Sequence, residues 1–107
     1  MNSQFKRGII EMCVLKMISR EDMYGFQLIE SISQEVEVNE NTVYPILRRL
    51  TKQGLFDTYS KSMSIGAPRK YYSLTSEGKE KLDEYETEWR NFLDGVYRIL
   101  GGSNYEE

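Results

Sequence analysis

The 107-residue chain has no histidine, one cysteine, two prolines and one tryptophan. Each scarcity excludes something. Without histidine no imidazole can act as general base, activate a nucleophile or ligate a metal. Cys13 cannot close an internal disulfide, and it sits in an apolar stretch that disfavours the thiolate. A cytoplasmic setting is therefore expected. No run approaches the roughly 20 apolar residues needed to span a bilayer, and residues 1–7 lack a signal-peptide pattern. No glycine-rich phosphate loop is present, and the carboxylates show no converging pair. Catalysis, a metal and a cofactor are not expected.

Basic charge is also in deficit. The net charge of −3 argues at first sight against a nucleic-acid partner. Its distribution reverses that reading. Residues 1–47 carry a net −3, residues 48–70 a net +5 and residues 71–107 a net −5. The middle block holds Arg48, Arg49, Lys52, Lys61, Arg69 and Lys70 against Asp57 alone. Screening confines each patch to its own neighbourhood of about 8–10 Å, so a local basic surface survives an acidic total.

The size fits one domain, and 39% apolar residues suffice for a packed core. Periodicity predicts four helices and one hairpin. The first helix, about residues 5–18, is apolar almost all round, interrupted only by Glu11 and Lys16. It must be covered on every side, and one small domain covers one face, so a second cover is implied. Asp22 is expected to cap a second helix, with Tyr24, Leu28, Ile32 and Val36 on one face. A third runs from Asn39 or Asn41, either a good N-cap, to Gly54, a good terminator, with Val43, Ile46, Leu47 and Leu50 buried. Pro45 sits awkwardly inside it, and either delays the start to near Asn41 or bends the first turn. Residues 55–61 and 69–74 read as strands joined by a turn containing Gly66 and Pro68. Thr75 caps a last helix, with Glu77 at its positive end.

That last helix carries Leu82, Tyr85, Trp89, Phe92, Val96 and Ile99 at spacings of three and four, a heptad seam. Lys79, Glu80, Glu84, Glu86, Glu88 and Arg90 are expected on the wet side. Because the first helix also has a face to spare, a homodimer of first and last helices is expected, with Ile9 and the seam residues at the interface.

Helix, helix, then a helix followed at once by a hairpin is the winged helix-turn-helix order. The fold expected is mainly α with a small β-hairpin, plus a C-terminal dimerisation helix. Residues 1–75 form the DNA-binding part, 76–100 the dimerisation helix and 101–107 an acidic tail. Asn41, Thr42 and Tyr44 would face base edges in the major groove, with Arg48 one turn on and Arg49 and Lys52 on phosphates. Two readings stay open for Asn41, base contact or cap, and two for Tyr44, DNA contact or core. Lys61, Arg69 and Lys70 flank the wing, where Ser64 and Gly66 let backbone approach a phosphate. The other reading of those cations is a protected sheet edge. The main alternative function is a winged-helix docking module without specific DNA binding, which has no need of cations on both helix and wing.

The chain resembles the PadR-type transcriptional regulators. The resemblance lies in Tyr24-Gly25-Phe26-Gln27-Leu28-Ile29, the run from Asn41-Thr42-Val43-Tyr44-Pro45 to Leu50, Gly54-Leu55, and Pro68-Arg69-Lys70-Tyr71-Tyr72-Ser73-Leu74-Thr75-Ser76-Glu77-Gly78. It implies a winged-helix domain, a homodimer joined by the C-terminal helix, a double-stranded, two-fold symmetric operator and repression of an adjacent operon. The single C-terminal helix is similar to the short subfamily, which includes regulators of drug-efflux genes. There a tryptophan matching Trp89 lines a cavity between subunits and stacks on flat aromatic ligands. The resemblance would place Phe5, Gly8, Met12, Tyr85 and Leu93 around it; the alternative is plain dimer packing. The wing departs from the family's glycine-richer form at Ile65-Gly66-Ala67-Pro68.

Overall fold

The computed structural model describes residues 3–101, with side chains from Lys6 onward. The Phe5 ring and the tail from residue 102 lie outside the described residues. Among those described, the order is α1 (Ser3–Arg20), β1 (Met23–Tyr24), α2 (Gly25–Ser33), α3 (Glu40–Lys52), β2 (Phe56–Lys61), β3 (Arg69–Leu74) and α4 (Ser76–Ile99). This is the expected winged-helix order with a third strand added.

The core follows from α1. Ile10, Val14, Leu15 and Ile18 are buried, and Met12, Cys13 and Met17 pack against the same cluster. The chain's own α2, α3, α4 and β3 all reach α1, so self-cover extends well beyond the one face expected. Its beginning stays open, where Gly8 is exposed and Ile9 half-buried, as does its last turn at Ser19 and Arg20.

On α3 the stripe Val43, Ile46, Leu47 and Leu50 is fully buried, and burying each such side chain contributes about 1.5–3 kcal/mol. Asn39, not Asn41, is the N-cap, its Oδ1 accepting from the Thr42 N–H at 3.3 Å. The helix starts at Glu40 and runs through Pro45. Having no N–H, Pro45 leaves the Asn41 carbonyl without its intrahelical donor, on a side of the helix where both residues face solvent. The C-terminus closes as a Schellman turn. Leu55 N–H reaches the Leu50 carbonyl at 2.9 Å and Gly54 N–H that of Thr51 at 3.0 Å, with Gly54 at φ +83°.

The second helix begins differently from expectation. Met23 and Tyr24 pair with Tyr72 and Tyr71 as a short strand, so the sheet is antiparallel with order β1-β3-β2. Asp22 therefore caps nothing: α2 starts at Gly25 after Tyr24, whose side chain makes no cap bond, and Asp22 instead accepts from the Tyr59 hydroxyl at 2.7 Å. Leu28 and Ile32 are buried as expected, but α2 ends at Ser33 and leaves Val36 exposed beyond it. On β3, Tyr72 faces the core edge-on to Phe56, and Tyr71 faces outward.

Thr75 ties α4 to the end of α3. Its Oγ1 accepts from Gly78 N–H at 3.0 Å and donates to the Gly54 carbonyl at 2.7 Å. Further along, Glu86 is not on the wet side. It is three-quarters buried and pairs with Lys16 of α1 at 3.3 Å and Arg90 at 3.6 Å. Leu82, expected between subunits, is 3% exposed within its own chain, because the first turns of α4 lie on the core.

A methyl group at Gly78 would run into the Leu55 carbonyl oxygen and the Leu74 side chain. Gly78→Ala should therefore destabilise the fold by about 1–3 kcal/mol through overpacking, although alanine is the better helix former by ~1 kcal/mol. Urea unfolding tests this, and an unchanged or raised midpoint would show the α3–α4 corner to be looser than described.

Candidate nucleic-acid interface

Opposite its buried stripe, α3 presents Asn41, Tyr44, Arg48 and Lys52, all exposed and spaced by three or four residues. Because Asn39 caps the helix, the Asn41 side chain is released from that duty. Thr42 is half-buried in the first turn. The Tyr44 ring lies over the start of α2, where a Cβ on Gly25 would stand 2.5 Å from Tyr44 Cε1. Glycine is thus what seats the ring there, and the ring remains solvent-exposed rather than joining the core.

From that point the surface continues onto the sheet. Tyr24, Gly25, Phe26, Tyr44, Arg69, Lys70 and Tyr72 line one shallow cavity of about 230 Å³, joining the first turn of α3 to the base of the hairpin. Arg48 approaches Tyr72 closely enough for its charge to oppose the upward shift that burial, and then Tyr44, impose on that phenol.

The hairpin cations do not wave freely. Cross-strand register puts Tyr24, Tyr71 and Tyr59 in one row and Lys61 opposite Arg69 one step further out. Tyr71 stacks on Tyr59 at 5.5 Å and meets Tyr24 edge-on at 5.4 Å. Arg69 lies over Tyr24 at 4.4 Å and Lys61 over Tyr71 at 5.3 Å, while Lys70 lies over Tyr72 at 5.7 Å on the other face. Contacts of this kind are worth about 0.5–1 kcal/mol each when exposed, enough to bias rotamers. The row ends in the Tyr59–Asp22 hydrogen bond, which is the main reason the Tyr59 phenol sits above its ordinary value.

Tyr24, Phe26 and Tyr59 are the members that sequence reasoning missed. The available signals were Gly25 between two aromatics and the alternation Tyr59–Lys61 opposite Arg69–Tyr71. Ser64 and Gly66 lie at the hairpin tip, exposed, with Gly66 at φ +90°.

Arg49 is placed differently from its neighbours. Its guanidinium pairs with Glu11 of α1 at 3.0 Å, with the Glu11 side chain only 14% exposed. The Tyr85 phenol of α4 lies near the same carboxylate, and burial first, then the Glu11 charge, push it up. Arg49 thus turns to α1 and fastens α3 to it while staying partly exposed, where a phosphate contact had been expected.

A second region lies at the other end of the molecule. Gly8, Ile9, Met12, Tyr85, Glu88, Trp89 and Phe92 line an open cavity of about 250 Å³. On the far side of Trp89, Met12, Cys13, Lys16, Glu86, Arg90 and Leu93 line another of about 300 Å³. Leu93 therefore lines this second cavity and not the one that holds Gly8 and Tyr85. Burial pushes the Cys13 thiol up, which fits packing rather than reaction. Among the described residues no helix is long and apolar enough to cross a membrane.

Comparison with known proteins identifies the architecture. The transcriptional regulator PadR-like family model matches residues 14–84. A PadR family transcriptional regulator from Eggerthella lenta is 38% identical, with a TM-score of 0.80 over 91% of this chain and 86% of that one. A PadR-like transcriptional regulator from Bacillus cereus is 35% identical, with a TM-score of 0.82 over 92% and 97%. A transcriptional regulator of Mycobacterium tuberculosis is 28% identical over 95% of this chain and 92% of its own. The winged helix, the continuous basic surface on α3 and β3, and these likenesses converge: the chain belongs to the transcriptional regulator PadR-like family and is a DNA-binding regulator.

Proposed function

We propose that the protein is a cytoplasmic homodimer that represses an adjacent operon from a two-fold symmetric operator and is released by a planar hydrophobic ligand at the subunit junction. The observation that carries the dimer is the outer half of α4. Phe92 is 59% and Ile99 85% exposed, yet both continue the seam that begins at the buried Leu82. A heptad seam left in water is unfavourable at ~25 cal/mol per Å² of apolar surface, and a second copy removes it. Residues 1–75 then address DNA while residues 76–100 join the subunits, with Ile9, Tyr85, Trp89, Phe92, Val96 and Ile99 at the junction.

On the duplex, α3 enters the major groove by its first turn, where Asn41, Thr42 and Tyr44 meet base edges and Arg48 reads guanine. Lys52, Lys61, Arg69 and Lys70 hold phosphates, as do the backbone amides near Ser64 and Gly66. Arg49 contributes indirectly by fixing the tilt of α3 through Glu11. Occupying a promoter in this way blocks transcription without a further partner surface.

The ligand reading rests on Trp89. The cavity of about 250 Å³ beside it falls short of the ~300–1,000 Å³ of small-molecule sites, and two copies facing across a two-fold axis bring it into range. Tyr85, Trp89 and Met12 suit a flat apolar ring system.

The deciding experiment pairs light scattering with operator binding. The wild type should scatter as twice 12.6 kDa. Phe92→Glu should scatter as a monomer with intact helicity and lose at least about tenfold in operator affinity, since two half-sites are no longer linked. A monomeric wild type that still binds a palindrome would overturn the dimer.

Arg48→Ala should cost ~1–3 kcal/mol on the operator and little on scrambled DNA. Lys61→Ala should weaken both alike and reduce the salt slope by about one. Equal losses for the two variants would reject base reading by Arg48.

Titration with a planar aromatic dye should quench Trp89, the chain's one tryptophan, and lower operator affinity in parallel. Unchanged fluorescence across a panel of such dyes would remove the ligand from the reading.

A further inference from the structure

The side chains of the hairpin tip are the part of this surface whose chemistry is still unused. Residues 62–68 carry Met63, Ile65, Ala67 and Pro68 with two serines and a glycine, and no charge. Ile65 is 89% exposed, the highest value for any large apolar side chain among the described residues. Gly66, at φ +90°, turns the chain immediately after it and leaves the isoleucine at the crest. The last registered strand pair, Lys61 with Arg69, sets one cation on each side of the tip's base. An apolar crest between two cations, on a surface loop that would ordinarily be polar, is the combination to be explained.

We propose that Ile65 enters the minor groove beside the major-groove site of α3 and selects A·T pairs there by apolar contact with the groove floor. This rests on the DNA-binding reading above and adds a specificity residue to it. Three arguments carry it. The minor-groove floor of an A·T pair shows only flat acceptors, whereas a G·C pair adds the guanine 2-amino group. That group would be buried against the isoleucine methyls without an acceptor, so the tip disfavours G·C without making a hydrogen bond. Reach is adequate. Lys70 shares a cavity with Tyr44 at the start of α3, and the five residues out to Ile65 extend up to about 16 Å at ~3.3 Å each. That crosses the phosphate ridge bounding a minor groove ~6 Å wide. Charge agrees, since narrow A·T minor grooves concentrate negative potential and draw in lysine and arginine, here Lys61 and Arg69. Apolar wedges flanked by cations are a recurrent minor-groove device.

The test uses the full-length protein and a duplex selected by it from a random-sequence pool. At the wing positions, located by hydroxyl-radical footprinting, A·T is replaced by G·C or by inosine·C, which keeps the major-groove face of G·C but lacks the 2-amino group. The wild type should bind the A·T and inosine duplexes within twofold of each other and the G·C duplex about five- to tenfold more weakly. Ile65→Ala, whose melting temperature should match the wild type because the side chain packs on nothing, should shrink these differences below twofold. Inosine behaving like guanine, or Ile65→Ala keeping the full discrimination, would overturn the proposal. A wild type that selects a sequence yet ignores the wing positions sinks this inference alone. One that selects no sequence sinks the DNA reading and this with it.

Discussion

Everything in this structure is referenced to α1, because a helix apolar on nearly every side can be stable only at the centre. α2, α3, α4 and β3 all lie against it. That arrangement forces a decision about the two polar residues in its middle. Glu11 and Lys16 cannot all turn to open water, and each is matched by an opposite charge from a different helix: Arg49 of α3 and Glu86 of α4. Removing one member of such a pair costs more than the pair contributes, since the other is left partly buried and unmatched. The pairs therefore act as registers that set the tilt of α3 and α4 on a common post. Tyr85 joins them, being at once within the field of Glu11 and a wall of the cavity beside Trp89. Glu11 thus links α3, through Arg49, to the neighbourhood of that cavity.

An acidic protein that binds DNA must keep its charges apart, and the fold does so by place. Apart from Arg49, the cations of residues 48–70 emerge on one surface made of α3 and the hairpin, while the carboxylates crowd along α4. At ~8–10 Å of screening length the two scarcely sense each other. The outer tyrosines supply what a bare patch of lysines lacks. Rings of Tyr24, Tyr71 and Tyr59 support Arg69 and Lys61, so less rotamer entropy remains to be lost when a phosphate arrives. Asp22, lying at the end of that row, is turned to the Tyr59 hydroxyl.

What the sequence made legible was local. The α3 stripe, Gly54 as terminator, the limits of β3 and the Thr75 cap each depend on residues within a few positions of one another, and all stand as read. The failures share a different property. β1 is two residues long and exists only because β3 offers it an edge, so no periodicity could announce it. Asp22 has the chemistry of a cap, and its partner is 37 positions away. Arg48 and Arg49 are adjacent and chemically identical; one helical step of 100° sends one toward Tyr72 and the other toward Glu11. Glu86 has the look of a solvated residue until Lys16 comes to meet it. Phe26 and Tyr24 join the surface of α3 and the hairpin through a cavity that only the folded chain defines.

The heptad seam on α4 shows the same limit most sharply, because a heptad states that a partner exists without stating whose. Along the helix the answer changes. Leu82 is buried by its own chain, Tyr85 is half-buried against it, Trp89 stands between two open cavities, and Phe92 and Ile99 face water. Own-chain cover fades as α4 runs past the beginning of α1. Two helical glycines mark that region, Gly8 on α1 and Gly95 on α4, and a Cβ at either would meet nothing within 4 Å in the single chain. Glycine in a helix interior costs about 1 kcal/mol relative to alanine, and among the described residues nothing requires it at these positions. Close approach of a second copy would supply the requirement, and it would place Trp89 where intrachain packing gives way to packing between chains.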